Sequence, residues 1–228
     1  MQNLKVKRTG TKSQSYLLLT SYFLLLITCF LSCSRHEIEV ELDPEDEFKI
    51  AKQAFKEENY HRAIEGFKQI VFRHPGSKWA EESQYRLAQS SFFEKDYQQA
   101  EMEYEFFIKA YPKSRFLDDA SFELALCYFK DSYPYYLDPS FIERALHEFQ
   151  SFIKKYPRSK WVEKAKEYEQ KCVDKLVRKD IETAKLYIKR GKLESAILYL
   201  EDIQDKYPEN SYSDEVSRLL KECEENTP

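Results

Sequence analysis

Glycine is nearly missing: the chain has four in 228 residues, with only eight prolines beside them. Average usage would give about 27 of the two together. Collagen-like repeats and Gly-rich linkers are therefore excluded. So are phosphate-cradling glycine loops, whose backbone needs residues free to take positive φ. Tryptophan and methionine contribute two residues each. The five cysteines form no CxxC pair and share no metal-ligand spacing with the four histidines. What is present is charge and aromatic surface. Charged residues make up 33% of the chain and hydrophobic residues 42%, with 17 Tyr and 16 Phe. That apolar share argues against global disorder. Long helices joined by few breakers fit best, in a chain long enough to bury a sizeable core.

The amino terminus sets the compartment. Lys5, Lys7, Arg8 and Lys12 precede an apolar run from Tyr16 to Leu31, followed by Ser32 and Cys33. A basic region, a short apolar core and a small residue before the cut describe a secretory signal over residues 1–32. The run is shorter than the roughly 20 residues a membrane-spanning helix needs, which leaves an uncleaved anchor as the alternative. Phe30-Leu31-Ser32-Cys33 resembles a bacterial lipobox, with Cys29 as a rival. The resemblance implies a diacylglycerol and an N-acyl chain such as palmitate on Cys33. With Ser34 behind the cysteine, it also implies sorting to the outer membrane, facing the periplasm. Each buried CH₂ of such chains contributes about 0.8 kcal/mol. Residues 33–44 then read as a flexible tether. Removing residues 1–32 moves the net charge from −4 to −8, because that segment holds four basic residues and no acid. This balance disfavours nucleic acid as a partner.

Repeats organise the rest. Tyr60, Ala63, Phe67 and Pro75 share their spacing with Tyr97, Ala100, Tyr104 and Pro112. The same spacing returns in Ile142, Ala145, Phe149 and Pro157, and again in Leu193, Ala196, Leu200 and Pro208. Offsets of three and four place these residues on one helical face. Each helix should stop before its Pro. Ser77, Ser114, Ser159 and Asn210, two residues later, are strong N-cap types for the next helix. Partner helices lie upstream, marked by Ala51, Ala88, Ala125 and Ala184. The expected helices are 45–57, 60–74, 78–94, 97–111, 116–131, 140–156, 160–190, 193–207 and 212–224. Residues 45–131 form N-terminal repeats, 132–140 an insertion loop, and 141–225 C-terminal repeats containing the long helix. This pattern resembles the tetratricopeptide repeat, and implies an all-α solenoid of about four and a half helix pairs.

Catalytic constellations are missing from the sequence. No GxSxG, Walker loop, HExxH or GxGxxG occurs. His61, His74 and His147 stand at or near repeat helix ends, and His36 falls in the tether. Acid pairs such as Glu81-Glu82 and Asp118-Asp119 read as first-turn acids on solvated helix faces. The protein is expected not to be an enzyme. The envelope enzyme accessory remains as an alternative from a different class.

In a helix-pair solenoid the first helices line the concave surface. Phe48 and Phe55, Tyr85 and Phe92, and Phe122 and Phe129 occupy equivalent first-helix sites, with Lys52 and Gln89 between pairs. Two readings stand side by side. The aromatics fill the solenoid core, or they form a groove for an extended segment with alternating aromatic side chains. The anchor, the short tether, the third-repeat insertion ending at Asp138-Pro139, the long helix after it, and Leu186 to Gly191 leading to Ala196 together resemble the BamD family of outer-membrane lipoproteins. That resemblance implies a scaffold in β-barrel assembly. Its partners would be the BamA-like barrel component, nascent outer-membrane proteins and other lipoproteins of the same machinery. It also suggests Arg190, at a helix end, as a partner contact, although complementing its own helix C-terminus explains that residue equally well. The TolA-binding CpoB group, which shares the Tyr-Pro-x-Ser punctuation, is the alternative of the same class.

Overall fold

A computed structural model describes residues 42–131 and 138–226. The expected signal segment 1–32, the candidate lipidation site Cys33, all but the end of the expected tether, and residues 132–137 of the expected insertion loop lie outside the described residues. Among the described residues there are nine α-helices and no strand. They are α1 (Pro44–Lys56), α2 (Tyr60–Arg73), α3 (Ala80–Phe93), α4 (Tyr97–Ala110), α5 (Leu117–Asp131), α6 (Ser140–Lys155), α7 (Val162–Lys189), α8 (Leu193–Lys206) and α9 (Ser213–Asn226). None of them is long and apolar enough to cross a membrane. Each helix packs chiefly on the one before and the one after it in sequence.

The repeat residues explain this packing. Ala63, Ala100, Ala145 and Ala196 are wholly buried, as are Phe67, Tyr104, Phe149 and Leu200 one turn later. A small residue lets the neighbouring helix approach, and the large one beside it fills the resulting space. The residue before each Pro carries nearly the same backbone: φ −128° and ψ 50° at His74, −121° and 60° at Tyr111, −124° and 58° at Tyr156, −133° and 61° at Tyr207. Proline removes its predecessor from the α region, and the helix ends there four times over.

Scarce glycine is replaced, not supplemented. The tight turns inside the first, second and fourth repeats each use one residue at positive φ: Glu58 at 57°, Lys95 at 69° and Gly191 at 70°. Asn59 and Asp96 then cap α2 and α4 by accepting from the N–H groups of Arg62 and Gln99, at 3.2 and 3.1 Å. Gly66 answers a different need. A Cβ there would lie 2.8 Å from the Cβ of Ala51, so its absence permits the close contact of α1 and α2.

The expected N-caps need correction. α3 and α7 begin after Trp79 and Trp161, without a side-chain cap. Ser77, Ser114 and Ser159 instead open a tight turn, closed by hydrogen bonds such as Ala80 N–H to the Ser77 carbonyl at 3.2 Å. Serine hydroxyls at these junctions look backwards along the array. Ser114 donates to Glu81 at 2.6 Å, Ser159 to Asp118 at 2.8 Å and Ser211 to Asp174 at 2.9 Å. The punctuation thus ties each of these repeat junctions to the helix two elements earlier.

Candidate functional site

Three of the six paired aromatics are core. Phe48, Tyr85 and Phe122 retain 3, 4 and 2% of their surface, so they cannot serve as a binding face. The cause is a repeated aromatic four residues after each Pro. Trp79 stacks on Phe48 at 4.6 Å, Phe116 on Tyr85 at 4.7 Å and Trp161 on Phe122 at 4.8 Å between ring centres. This signal stood in the sequence and identifies the first member of each pair as framework. The other three aromatics are half-buried. Phe55 meets Tyr60 and Phe93 edge-on at 5.7 and 5.8 Å, and Phe92 meets Phe93 and Tyr97 at 5.7 and 5.4 Å. Phe129 lies apart from them, against Tyr168 at 5.0 Å.

Polar residues link the first helices. Lys52 reaches Glu82 at 3.7 Å, and Arg86 and Arg115 reach the same carboxylate at 3.5 and 3.4 Å. Gln89 accepts from Arg86 at 2.8 Å and donates to the Tyr85 hydroxyl and to Glu123, both at 2.9 Å. Glu123 also accepts from the Tyr104 hydroxyl at 2.6 Å. Burial pushes the Glu123 carboxyl above the ordinary carboxylate range, against hydrogen bonds from Tyr104, Gln89 and Tyr85 that pull it down. Burial first, and then the Glu123 charge, hold the Tyr104 phenol firmly protonated. The central first-helix side is therefore a polar ladder, with an ion pair joining α1 to α3 and hydrogen bonds joining α3 to α5. Periodicity alone did not reveal Glu123, because a Glu between apolar residues reads as a solvated position until its neighbours are known.

Open surface occurs elsewhere. A groove of about 940 Å³ runs between α2 and α4 with Gln84 and Leu87 of α3 among its lining residues. Phe72 and Phe106 stand in it, 84 and 52% exposed. It lies on the second-helix side, opposite to the expected groove. A second, smaller cleft of about 290 Å³ is lined by Phe129, Lys171, Asp174, Lys175, Arg178 and Tyr212. Arg190 is exposed at the end of α7, where its N–H donates to the carbonyls of Leu186 and Tyr187 at 3.2 and 3.0 Å. Among the described residues no group of three or more His, Cys, Asp or Glu could hold a metal ion.

A family model described as "YfiO: Outer membrane lipoprotein" matches residues 40–226, which takes in the whole described array. The chain belongs to the YfiO family of outer membrane lipoproteins. No curated protein sequence matches it. Solved structures similar to it include the TPR2AB-domain:pHSP90-complex of yeast Sti1, 11% identical, TM-score 0.49, covering 79% of this chain and 69% of that one. A thermophilic TPR protein from Thermus thermophilus is 13% identical with TM-score 0.43, covering 78% of this chain and all of that one. A tetratricopeptide repeat protein from Parabacteroides merdae is 13% identical with TM-score 0.41, covering 80% of this chain and 60% of that one. As a YfiO-family protein, the chain is an all-α tetratricopeptide solenoid of the non-enzymatic, protein-binding adaptor type.

Proposed function

We propose that this YfiO-family protein is a lipid-anchored adaptor of outer-membrane β-barrel assembly, tethered through Cys33 on the periplasmic face. In this reading it holds a BamA-like barrel component and receives unfolded barrel chains. The observation that carries the proposal is the family match over residues 40–226. Phe72 and Phe106 in the α2–α4 groove, with the Phe55, Phe92 and Phe93 edge cluster, offer apolar anchors for alternate side chains of an unfolded strand. Exposed Arg190 is the proposed ion-pairing contact to the barrel component, fixing docking geometry more than strength.

The test is purification of the intact chain from detergent-solubilised membranes, followed by identification of what accompanies it. Recovery with a β-barrel protein bearing periplasmic domains is expected, and its loss in an Arg190→Glu variant would support that contact. Recovery with no β-barrel protein overturns the reading, and recovery with TolA favours the CpoB-like alternative.

A further inference from the structure

The fourth repeat breaks a rule kept by the first three. Where Phe48, Tyr85 and Phe122 receive a stacked ring, the equivalent residue is Ile181. Tyr212, four residues after Pro208, meets Arg178 instead. Its hydroxyl accepts from the arginine Nε at 3.1 Å and from a terminal guanidinium nitrogen, and the guanidinium carbon lies 5.4 Å from the ring centre. The smaller cleft opens at this place, with Phe129 as its opposite aromatic wall.

We infer that the cleft between α5, α7 and the turn before α9 binds an acidic, extended peptide segment of a partner protein. This goes beyond the proposed assembly role and does not depend on it. Lys175 is central: its ammonium sits 4.0 Å from the centre of the Phe129 ring, and no described carboxylate lies within ion-pairing distance. Burial, and then the charge of Lys130, hold its pKa below the usual lysine value. A half-buried cation facing another cation, in a chain of net charge −4, leaves a demand for negative charge unmet. The nearby acids are already engaged. Asp174 accepts from Gln170 at 3.0 Å and Ser211 at 2.9 Å, and Glu167 accepts from Lys164 at 2.8 Å and Lys171 at 2.6 Å. Those two lysines hold the Glu167 carboxyl at about 2.

Geometry selects the ligand class. Lys171 and Lys175 stand four residues apart on α7, a rise of ~6 Å, and Arg178 follows three residues later, a further ~4.5 Å. Alternate side chains of an extended strand recur every ~6.6 to 6.8 Å on one face. An acid–x–acid segment therefore matches the Lys171–Lys175 step, one acid meeting Lys175 and the other competing with exposed Glu167 for Lys171, while Phe129 and Tyr212 pack against its backbone and stems.

The test is fluorescence anisotropy of a short fluorescein-labelled peptide alternating Glu with Ser, added to the whole chain in neutral detergent. A peptide with Lys for Glu serves as control. Binding of the acidic peptide alone is expected, weakened about tenfold by Lys175→Gln and more by Lys175→Glu, each with an unchanged helical circular-dichroism spectrum. Lys154→Glu, an exposed position on α6, should leave it unaltered. Equal binding by the Lys175 variants, or an equal loss in Lys154→Glu, overturns the assignment. So does displacement of the peptide by phosphatidylglycerol but not phosphatidylcholine in the micelles, which would make the cleft a headgroup site.

Discussion

At Gly66 the missing Cβ is the property in use, because its φ is not in the left-handed region. The backbone of α2 there faces the side chain and Cα of Ala51, and an added methyl would stand 2.8 and 3.3 Å from them. The obstacle lies on a helix backbone, so relief requires α1 and α2 to part. Gly66→Ala is expected to destabilise by about 1 to 3 kcal/mol, read from the midpoint of denaturant unfolding. Glu123 presents the opposite situation, a side chain present where its charge is unwelcome. Its folded-state pKa is raised above 4.5, so between that raised value and 4.5 the folded chain binds more protons than the unfolded one. Stability from this group therefore rises as pH falls through that window and is lower at neutral pH. Glu123→Gln removes the ionisation while keeping an acceptor for Tyr104. Thermal midpoints of variant and parent should differ most in favour of the variant at about pH 7.5, with the gap closing towards 4.5. A constant gap across that range would mean that Glu123 titrates as an ordinary exposed carboxylate.

At the scale of single elements, the second and third repeat junctions each join helices through a serine that the sequence suggested as a helix cap, Ser114 and Ser159. Ser159 accepts from Trp161 N–H at 3.2 Å and donates to Asp118 at 2.8 Å, so Ser159→Ala loses both bonds. A cost of about 1 to 2 kcal/mol is expected from thermal unfolding. Ser77 is the instructive exception: its hydroxyl is buried without a partner. Pro44 stands at the place in α1 that Glu81 and Asp118 hold in α3 and α5, seven residues before the repeat alanine. Ser77→Ala should accordingly be neutral or slightly stabilising in the same experiment. The contrast shows what was legible. Helix order and bounds followed from the Ala, aromatic and Pro spacing, because those residues act through local backbone geometry and one apolar face. The role of the paired aromatics did not follow, because whether Phe48 or Tyr85 faces a ligand or the core depends on Trp79 and Phe116, beyond the next helix. A lone position-by-position reading of the first helices could not see that cover. The cation row of α7 was missed for a similar reason, since Lys171, Lys175 and Arg178 read as a solvated face until Phe129 and Tyr212 close in on them.

Across the whole molecule the core is a succession of clusters, not a single centre. One gathers around Phe48, Ala63 and Phe67, a larger one around Tyr104, Tyr128 and Phe149, and a third around Ile181, Leu200 and Val216. The middle and third clusters meet at Tyr207, which packs on both, and α7 contributes Cys172 and Leu176 to the former and Val177 and Ile181 to the latter. Since each helix rests mainly on its sequence neighbours, stability should be nearly a sum of local terms with nearest-neighbour coupling. A lesion in the last cluster ought then to stay there. Leu200 is wholly buried, and Leu200→Ala should cost about 2 to 5 kcal/mol through lost transfer energy and a residual cavity. In native-state hydrogen exchange, amides of α8, α9 and the second half of α7 should lose protection. Those of α2 to α5 should exchange as in the parent, because no large contact carries the defect to them. Uniform loss of protection from α1 to α9 would instead show one cooperative unit, with the long α7 transmitting strain between the middle and third clusters. In the local case the C-terminal repeats can open and re-dock, with the Lys175 cleft at their boundary, while the α2–α4 groove keeps its shape.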